Sequence, residues 1–455
     1  MSAIGQFASR ENPCDRMMSS KSLNPVSRRQ ALSALAAFAA YGILGSTFSF
    51  AQSILTDRRA ETRAGPTFDQ GGPNAKLYGI DEGYPVPGIL RSVWEGNPWA
   101  PKYRVGAFSH FDETYTTRKI SRAAVPWMFK RSTAEVRYRS QGRQFSLTDY
   151  LSRNPVIGLL IARGADILFE HYQYGRTDYD RLLSQSMVKS ITGMLIGIAI
   201  ADGAIKSVDD TPEAYVPGFK GTEYGRTPIR DLLHMSSGVD FGEEREGGRD
   251  LNRLWRDMVV GGRIFKKGTV NSIRQFNHRV APSGTRYHYA SIEPDVLGVV
   301  LHYAIKKPVS VYLQDKVWQP IGAEADATWL VDAEGYEVAH FGFNAVLRDY
   351  ARLGRLLAYD GVWEGKQIIP TQWIIEATTV RPSDGYLAPG KAMPWFGYGY
   401  LLWLLPGDRR EFALVGQNGQ RICIDPASKL VMVHTALDES DEVWHLWSAL
   451  VEELA

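Results

Sequence analysis

The sequence predicts an α/β chain of the α+β layout: an antiparallel β-sheet flanked by helices, built from both chain ends, around a large and mostly helical inserted lobe. Three observations predict it. Two apolar runs, 156–162 and 166–172, are separated by Arg163-Gly164 and read as a hairpin. Three further short apolar runs, 412–415, 420–425 and 430–434, stand near the far end and are followed by a helical pattern at about 439–453. Between the two groups the spacing is helical. One sheet drawn from both ends therefore encloses the middle, with a sheet lobe at 145–185 and 395–455 and a helical lobe at about 186–394.

Taken in order, the chain opens with an N-terminal segment, 1–51, that reads as an export signal. Ser27-Arg28-Arg29-Gln30 precedes 21 uncharged residues, 31–51, rich in Ala and only mildly apolar. Paired arginines before such a stretch look like a twin-arginine signal, and Ser49-Phe50-Ala51 offers small residues for cleavage before Gln52. A periplasmic or secreted protein is expected. The alternative is an uncleaved anchor, since a stretch of this length spans about 30 Å of hydrocarbon. Translation starting at Met17 or Met18 would shorten the leader. Cleavage leaves Cys423 as the one cysteine, because Cys14 lies in the leader, and no intramolecular disulfide can form.

Residues 52–144 form an irregular extension in which turn signals such as Gly71-Gly72-Pro73-Asn74 recur, especially up to about residue 100. A single domain-sized stretch then occupies 145–455. Residues 145–151 read as a short helix capped by Ser146. Helical patterns follow at 187–201, 229–235, 292–305, 310–317, 345–357 and 371–377. In the fifth of these Val346, Leu347, Tyr350, Leu353 and Leu357 make a stripe, which is core packing and carries no chemical role.

Charge excludes one class of partner. The chain has 52 basic and 50 acidic residues, and without residues 1–51 the balance is 47 to 48. A nearly neutral chain with no basic run does not gather phosphate backbones, so nucleic acid is not expected. There is no Gly-x-Gly-x-x-Gly after a strand and no phosphate loop, which argues against a nucleotide. The nine histidines include no His-Glu-x-x-His. No metal or other cofactor is expected, and the sequence leaves the oligomeric state open.

The chemistry-bearing residues begin with Ser186-Met187-Val188-Lys189, where an irregular stretch turns into the strongest apolar helix. A Ser and a Lys three apart on a first helical turn face the same side. The helix N-terminus favours negative charge on Ser186. Ser-x-x-Lys alone is weak, occurring about once by chance in a chain of average composition and this length. About one hundred residues on comes Pro282-Ser283-Gly284-Thr285-Arg286-Tyr287-His288-Tyr289-Ala290-Ser291, just before the helix at 292. In this order the chain resembles the superfamily of serine β-lactamases, penicillin-binding proteins and related esterases, closest to its class C-like branch and the 6-aminohexanoate-dimer hydrolases. Stretches 200–210 and 227–238 resemble that superfamily too, as supports of the cleft.

The resemblance implies Ser186 as nucleophile, Lys189 as its proton acceptor and Tyr289 as third catalytic group, with Ser291 facing the substrate. The third motif departs from the usual Lys-Thr-Gly or His-x-Gly, its place being taken by Gly416-Gln417-Asn418-Gly419-Gln420. Gln417, Asn418 and Gly419 are expected to line the cleft, with Gly419 letting the strand backbone approach the substrate. The N–H groups of Ser186 and Gln420 are expected to form the oxyanion hole. Gln417 is neutral where the superfamily often has a cation, which points to a small-molecule carboxylic ester or linear amide. The alternatives are a β-lactamase or D-alanyl-D-alanine carboxypeptidase, with Arg421 or Arg286 as substitute charge, or an inactive binding protein. Aromatic residues Trp395, Phe396, Tyr398, Tyr400 and Trp403 either line an acyl pocket or pack the sheet. His288 and Cys423 are read as bystanders, the latter a buried inert thiol.

Overall fold

The computed structural model describes residues 65–80, 100–132, 136–140, 142–243, 248–260 and 267–454. The paired arginines and the apolar segment after them lie outside the described residues. Residues Pro66–Ala455 form one compact unit. Among the described residues its main sheet has nine strands: β1 (Thr67–Phe68), β2 (Lys130–Arg131), β3 (Val156–Arg163), β4 (Asp166–Tyr172), β5 (Gly397–Tyr398), β6 (Trp403–Leu404), β7 (Phe412–Gly416), β8 (Gln420–Asp425) and β9 (Leu430–Ala436). The order is β1-β4-β3-β9-β8-β7-β6-β5, with β2 also on β4. The two chain ends meet where β9 pairs antiparallel with β3, Met432 opposite Ile161.

Alternation along these strands builds two apolar layers. On one face Leu159, Ile161, Ala413, Cys423 and Met432 pack with helices α2 (Leu147–Arg153) and α8 (Glu442–Leu454). On the other Leu160, Leu414, Ile422, Val431 and Val433 join the larger core with α3 (Met187–Ala201) and α6 (Leu347–Ala358). Ser146 caps α2 as its position suggests: its hydroxyl accepts from Asp149 N–H at 3.1 Å, and the Asp149 carboxylate accepts from Ser146 N–H at 2.8 Å. The stripe of α6, including Tyr350, Leu353 and Leu357, is fully buried.

Residues ahead of the hairpin add more than turns. β1 and β2 run parallel to β4, so the sheet is antiparallel except at that edge. Helix α1 (Arg104–Ser109) is buried along its length, and strand Thr117–Ile120 pairs with Ala327–Leu330. That pair belongs to a second sheet, completed by Phe343–Ala345 and Leu182–Leu183. Two-residue strands carry too little periodicity to be read from sequence. In the helical lobe α4 (Ile229–Leu233) ends earlier than its pattern, because Met235 turns left-handed at φ 53°. Helix α5 (Ile292–Ile305) runs through the core, and α7 (Thr371–Ala377) lays Trp373 against Gly197 of α3.

Candidate active site

Two short elements aim Ser186. Strand Leu182–Leu183 is buried and pairs with Phe343–Ala345, and Ser184 N–H donates to Phe343 O at 2.8 Å. Gln185 then takes φ 48°, a left-handed conformation that residues with a Cβ seldom adopt, and Met187 N–H donates to Ser184 O at 3.1 Å. This bend turns the strand into α3 and leaves Ser186 at the helix N-cap. Its hydroxyl caps no helix N–H. Lys189 Nζ, one turn on and 2% exposed, reaches Ser186 Oγ at 2.7 Å and donates to His340 O at 3.0 Å. No carboxylate pairs with Lys189 among the described residues, so its partners are two neutral oxygens.

Tyr289 is brought to this pair by its ring. Lys189 Nζ lies 5.1 Å from the ring centroid, and the Tyr289 hydroxyl makes no hydrogen bond among the described residues. Ser291, two residues further, points elsewhere than expected. It is 3% exposed; its hydroxyl and N–H donate to the Glu243 carboxylate at 2.6 and 2.7 Å. Ser291 thus ties the loop at Glu243 to the start of α5 instead of facing the cleft. Glu293, on the first turn of α5, is likewise buried and takes the Ser237 hydroxyl at 2.6 Å; burial pushes its carboxyl well above the usual range.

The third motif forms a tight turn between β7 and β8. Asn418 and Gly419 sit at φ 56° and 82°, as an Asn-Gly turn requires, and Gln420 N–H points back at Gln417 O at 3.4 Å. Here the structure redistributes the expected roles. Gln420 is wholly buried, its side-chain amide donating to Gln417 O, Asn418 O and Ala436 O. Asn418 reaches Leu437 O at 3.5 Å, and Gly419 faces β9, with Ala436 and Asp438 each 3.0 Å from where its Cβ would be. The residue that touches the bend at Ser186 is Gly416: a Cβ there would fall 2.5 Å from Ser184 O and 2.9 Å from Ser186 N. Of the expected cleft residues in the turn, only Gln417 keeps part of its surface exposed.

Of the two spare arginines, Arg421 is not free to serve as a substitute charge. Arg421 is buried, donating to Gly416 O and Gln420 O and pairing with Glu439 at 2.6 Å. Arg286 is exposed. The aromatic residues divide. Tyr398 and Tyr400 are buried, Tyr400 packed at a tilt against Trp373 and His234. Trp403 lies 6.3 Å from the Tyr289 ring, Phe396 packs on Trp403, and Trp395 beyond it is 43% exposed. Cys423 is buried on β8, and burial pushes its thiol up to about 12, so thiolate chemistry is suppressed. His288 Nε2 contacts Phe241 O at 2.9 Å, away from the Ser186–Lys189 pair.

Sequence reasoning passed over His340 and Asp295. Asp295 on α5 is buried and bound to His340, whose carbonyl holds Lys189. The signal was an acidic pair, Glu293 and Asp295, inside an apolar helix.

The family model described as Beta-lactamase matches residues 153–442. The chain is 26% identical over 292 residues to a 6-aminohexanoate-dimer hydrolase of Paenarthrobacter ureafaciens, covering 63% of this chain and 74% of that one. Among solved structures it is similar to one titled "Putative 6-aminohexanoate-dimer hydrolase from Bacillus anthracis", with TM-score 0.69, 21% identity, and coverage of 78% of this chain and 95% of the other. It is also similar to a penicillin binding protein from Bacillus halodurans, with TM-score 0.52, 18% identity, and coverage of 66% and 96%. The structural likenesses speak for the fold.

Proposed function

Because the chain belongs to the Beta-lactamase family, in the superfamily of serine β-lactamases and penicillin-binding proteins and near the 6-aminohexanoate-dimer hydrolases, we propose that it cleaves a carboxylic ester or linear amide through an acyl-enzyme on Ser186. The observation that carries this reading is the 2.7 Å contact of the buried Lys189 with Ser186 at a left-handed bend. A base within hydrogen-bond reach of a hydroxyl is the first requirement for an activated serine.

In this mechanism Lys189 takes the Ser186 proton as the hydroxyl oxygen attacks the acyl carbon. The tetrahedral oxyanion is held by the Ser186 N–H, helped by the α3 N-terminus, and by the strand end at Gly416–Gln417. Gln420, whose N–H is turned into the Asn418-Gly419 bend, is replaced in that role. Tyr289 relays a proton to the departing alcohol or amine. Water then attacks the acyl-enzyme and releases the carboxylic acid.

Substrate charge follows from the same turn. Gln417 donates without net charge, and Arg421 is held by two carbonyls and Glu439. A carboxylate beside the scissile bond therefore meets no free cation from this turn, which favours neutral substrates. The same reading includes export to the periplasm, motivated by Arg28-Arg29; N-terminal sequencing that finds Arg28 kept in a membrane-free cytoplasmic pool would sink it.

Intact mass after exposure to a fluorophosphonate tests the nucleophile. One adduct per wild-type chain and none on Ser186→Ala is expected; a labelled Ser186→Ala would place the nucleophile elsewhere. A panel of p-nitrophenyl esters, a chromogenic cephalosporin and a D-Ala-D-Ala peptide then tests the substrate class, with the esters expected to turn over fastest.

A further inference from the structure

We infer that Asp295 is a positioning residue for Lys189, acting through the peptide of His340; this rests on reading Ser186 and Lys189 as nucleophile and base. Asp295 lies near the start of α5 and is 1% exposed. Its carboxylate is held by one short stretch of chain. Ala339 N–H and His340 N–H donate to Oδ1 at 2.9 and 3.2 Å, and His340 Nδ1 meets Oδ2 at 2.7 Å. Three bonds onto two neighbouring residues fix the backbone there. The carbonyl of that same His340 receives Lys189 Nζ at 3.0 Å.

The consequence is the direction of a lone pair. To accept a proton, Lys189 is an amine with two N–H groups and one lone pair. A carbonyl oxygen has no proton to give, so a fixed His340 carbonyl can only take an N–H. With one N–H committed there, the lone pair is not spent on that side and stays available to the Ser186 hydroxyl at 2.7 Å. A water or a hydroxyl in place of the carbonyl could donate to the lone pair and leave Ser186 facing an N–H. Fixing a pure acceptor opposite the nucleophile removes that unproductive arrangement. Tyr289 stands three residues before α5, so one helix start carries both Tyr289 and the carboxylate that orients Lys189. The imidazole is closed in by Trp255 and Phe341, whose rings lie 6.4 and 6.3 Å away.

The test is rapid-mixing acylation by p-nitrophenyl butyrate, resolved into an acylation rate constant and a substrate dissociation constant. Asp295→Ala should lower the rate constant by about tenfold or more and leave the dissociation constant within about twofold. Asp295→Asn keeps an oxygen for both backbone N–H groups, and its amide can donate to the other imidazole tautomer, so it should recover to within about threefold of wild type. Unchanged acylation in Asp295→Ala overturns the inference. So does an equal loss in both variants with a weakened dissociation constant, which marks a general loosening. Should Asp295→Ala not fold, His340→Ala removes only the imidazole arm and is expected to slow acylation about three- to tenfold; an unchanged rate overturns the inference there too. A wild-type chain that neither acylates nor takes a fluorophosphonate on Ser186 overturns the hydrolase reading itself, and the positioning role falls with it. That result is distinct from slow acylation confined to the variants.

Discussion

Adding one methyl group at Gly416 should damage catalysis more than it damages the fold. A Cβ built there sits 2.5 Å from Ser184 O, 2.8 Å from Gln185 Cβ and 2.9 Å from Ser186 N. Carbon contacts relax near 3.5 Å, so the strand end and the nucleophile bend must part by roughly 0.5–1 Å. Two of the three atoms are backbone and cannot rotate away. Overpacking of this kind costs about 1–3 kcal/mol. A shift near 1 Å between reacting groups costs on the order of a hundredfold in rate. Gly419→Ala is the control. It forces a Cβ onto φ 82°, worth about 1–2 kcal/mol, but its new contacts are Ala436 and Asp438, not the Ser186 bend. The assay pairs kcat/KM on a p-nitrophenyl ester with the thermal midpoint. Gly416→Ala should lose about a hundredfold in kcat/KM, and Gly419→Ala should lose a comparable amount of stability with activity kept within about threefold. A Gly416→Ala enzyme at wild-type rate, beside an inactive Gly419→Ala, would refute the placement of the oxyanion site at the β7 end.

The remaining predictions concern the same neighbourhood. Ser291→Ala leaves Glu243 without its hydroxyl donor and should cost about 1.5–3 kcal/mol in urea unfolding, with KM nearly unchanged; a tenfold rise in KM at full stability would return Ser291 to the substrate. Gln417→Lys should raise turnover of a cephalosporin or D-Ala-D-Ala peptide relative to a neutral ester. A wild-type enzyme already preferring the carboxylate by about tenfold, near 1.4 kcal/mol, rejects the charge argument. Burial holds His434 down at about 4 while its Nδ1 contacts Gly419 O at 2.6 Å and its Nε2 contacts Tyr150 at 2.9 Å. The unfolded chain binds that proton first, near 6.5, so stability is full above pH 6.5 and falls as pH drops towards 4, by about 1.4 kcal/mol per pH unit for this group. His434→Gln should remove one proton's worth of that slope in urea titrations between pH 7.5 and 4.5; an unchanged slope means His434 takes its proton in the folded state.

Much of the fold was legible because it is local. The helices at 187–201 and 292–305 start and stop where their apolar runs do, since the first buries nearly its whole surface and the second is buried from Ile292 to Leu301. The hairpin of β3 and β4 was visible in two apolar runs about a glycine turn. Parallel strands β1 and β2 were not, because two residues hold no period and their pairing with β4 depends on a chain segment arriving from far away.

The site divides along the same line. Ser186 and Lys189 are three residues apart on one helix, so 3.6 residues per turn is enough to bring hydroxyl and amine together, and the sequence alone determined that pair. It also determined Tyr289 as a residue near them, through the order of motifs, and the neutrality of Gln417. Tertiary structure alone decided which glycine of the third motif meets the Ser186 bend, that Ser291 turns to Glu243, and that Asp295 binds His340 while the His340 carbonyl takes Lys189. The hydrogen bonds of Ser291 to Glu243, Asp295 to His340 and Lys189 to His340 join residues 48, 45 and 151 positions apart. A hydrogen bond depends on a few tenths of an ångström and on angle, and such distances between remote residues are set by how whole helices and strands pack. Residue spacing along the chain carries no record of that packing.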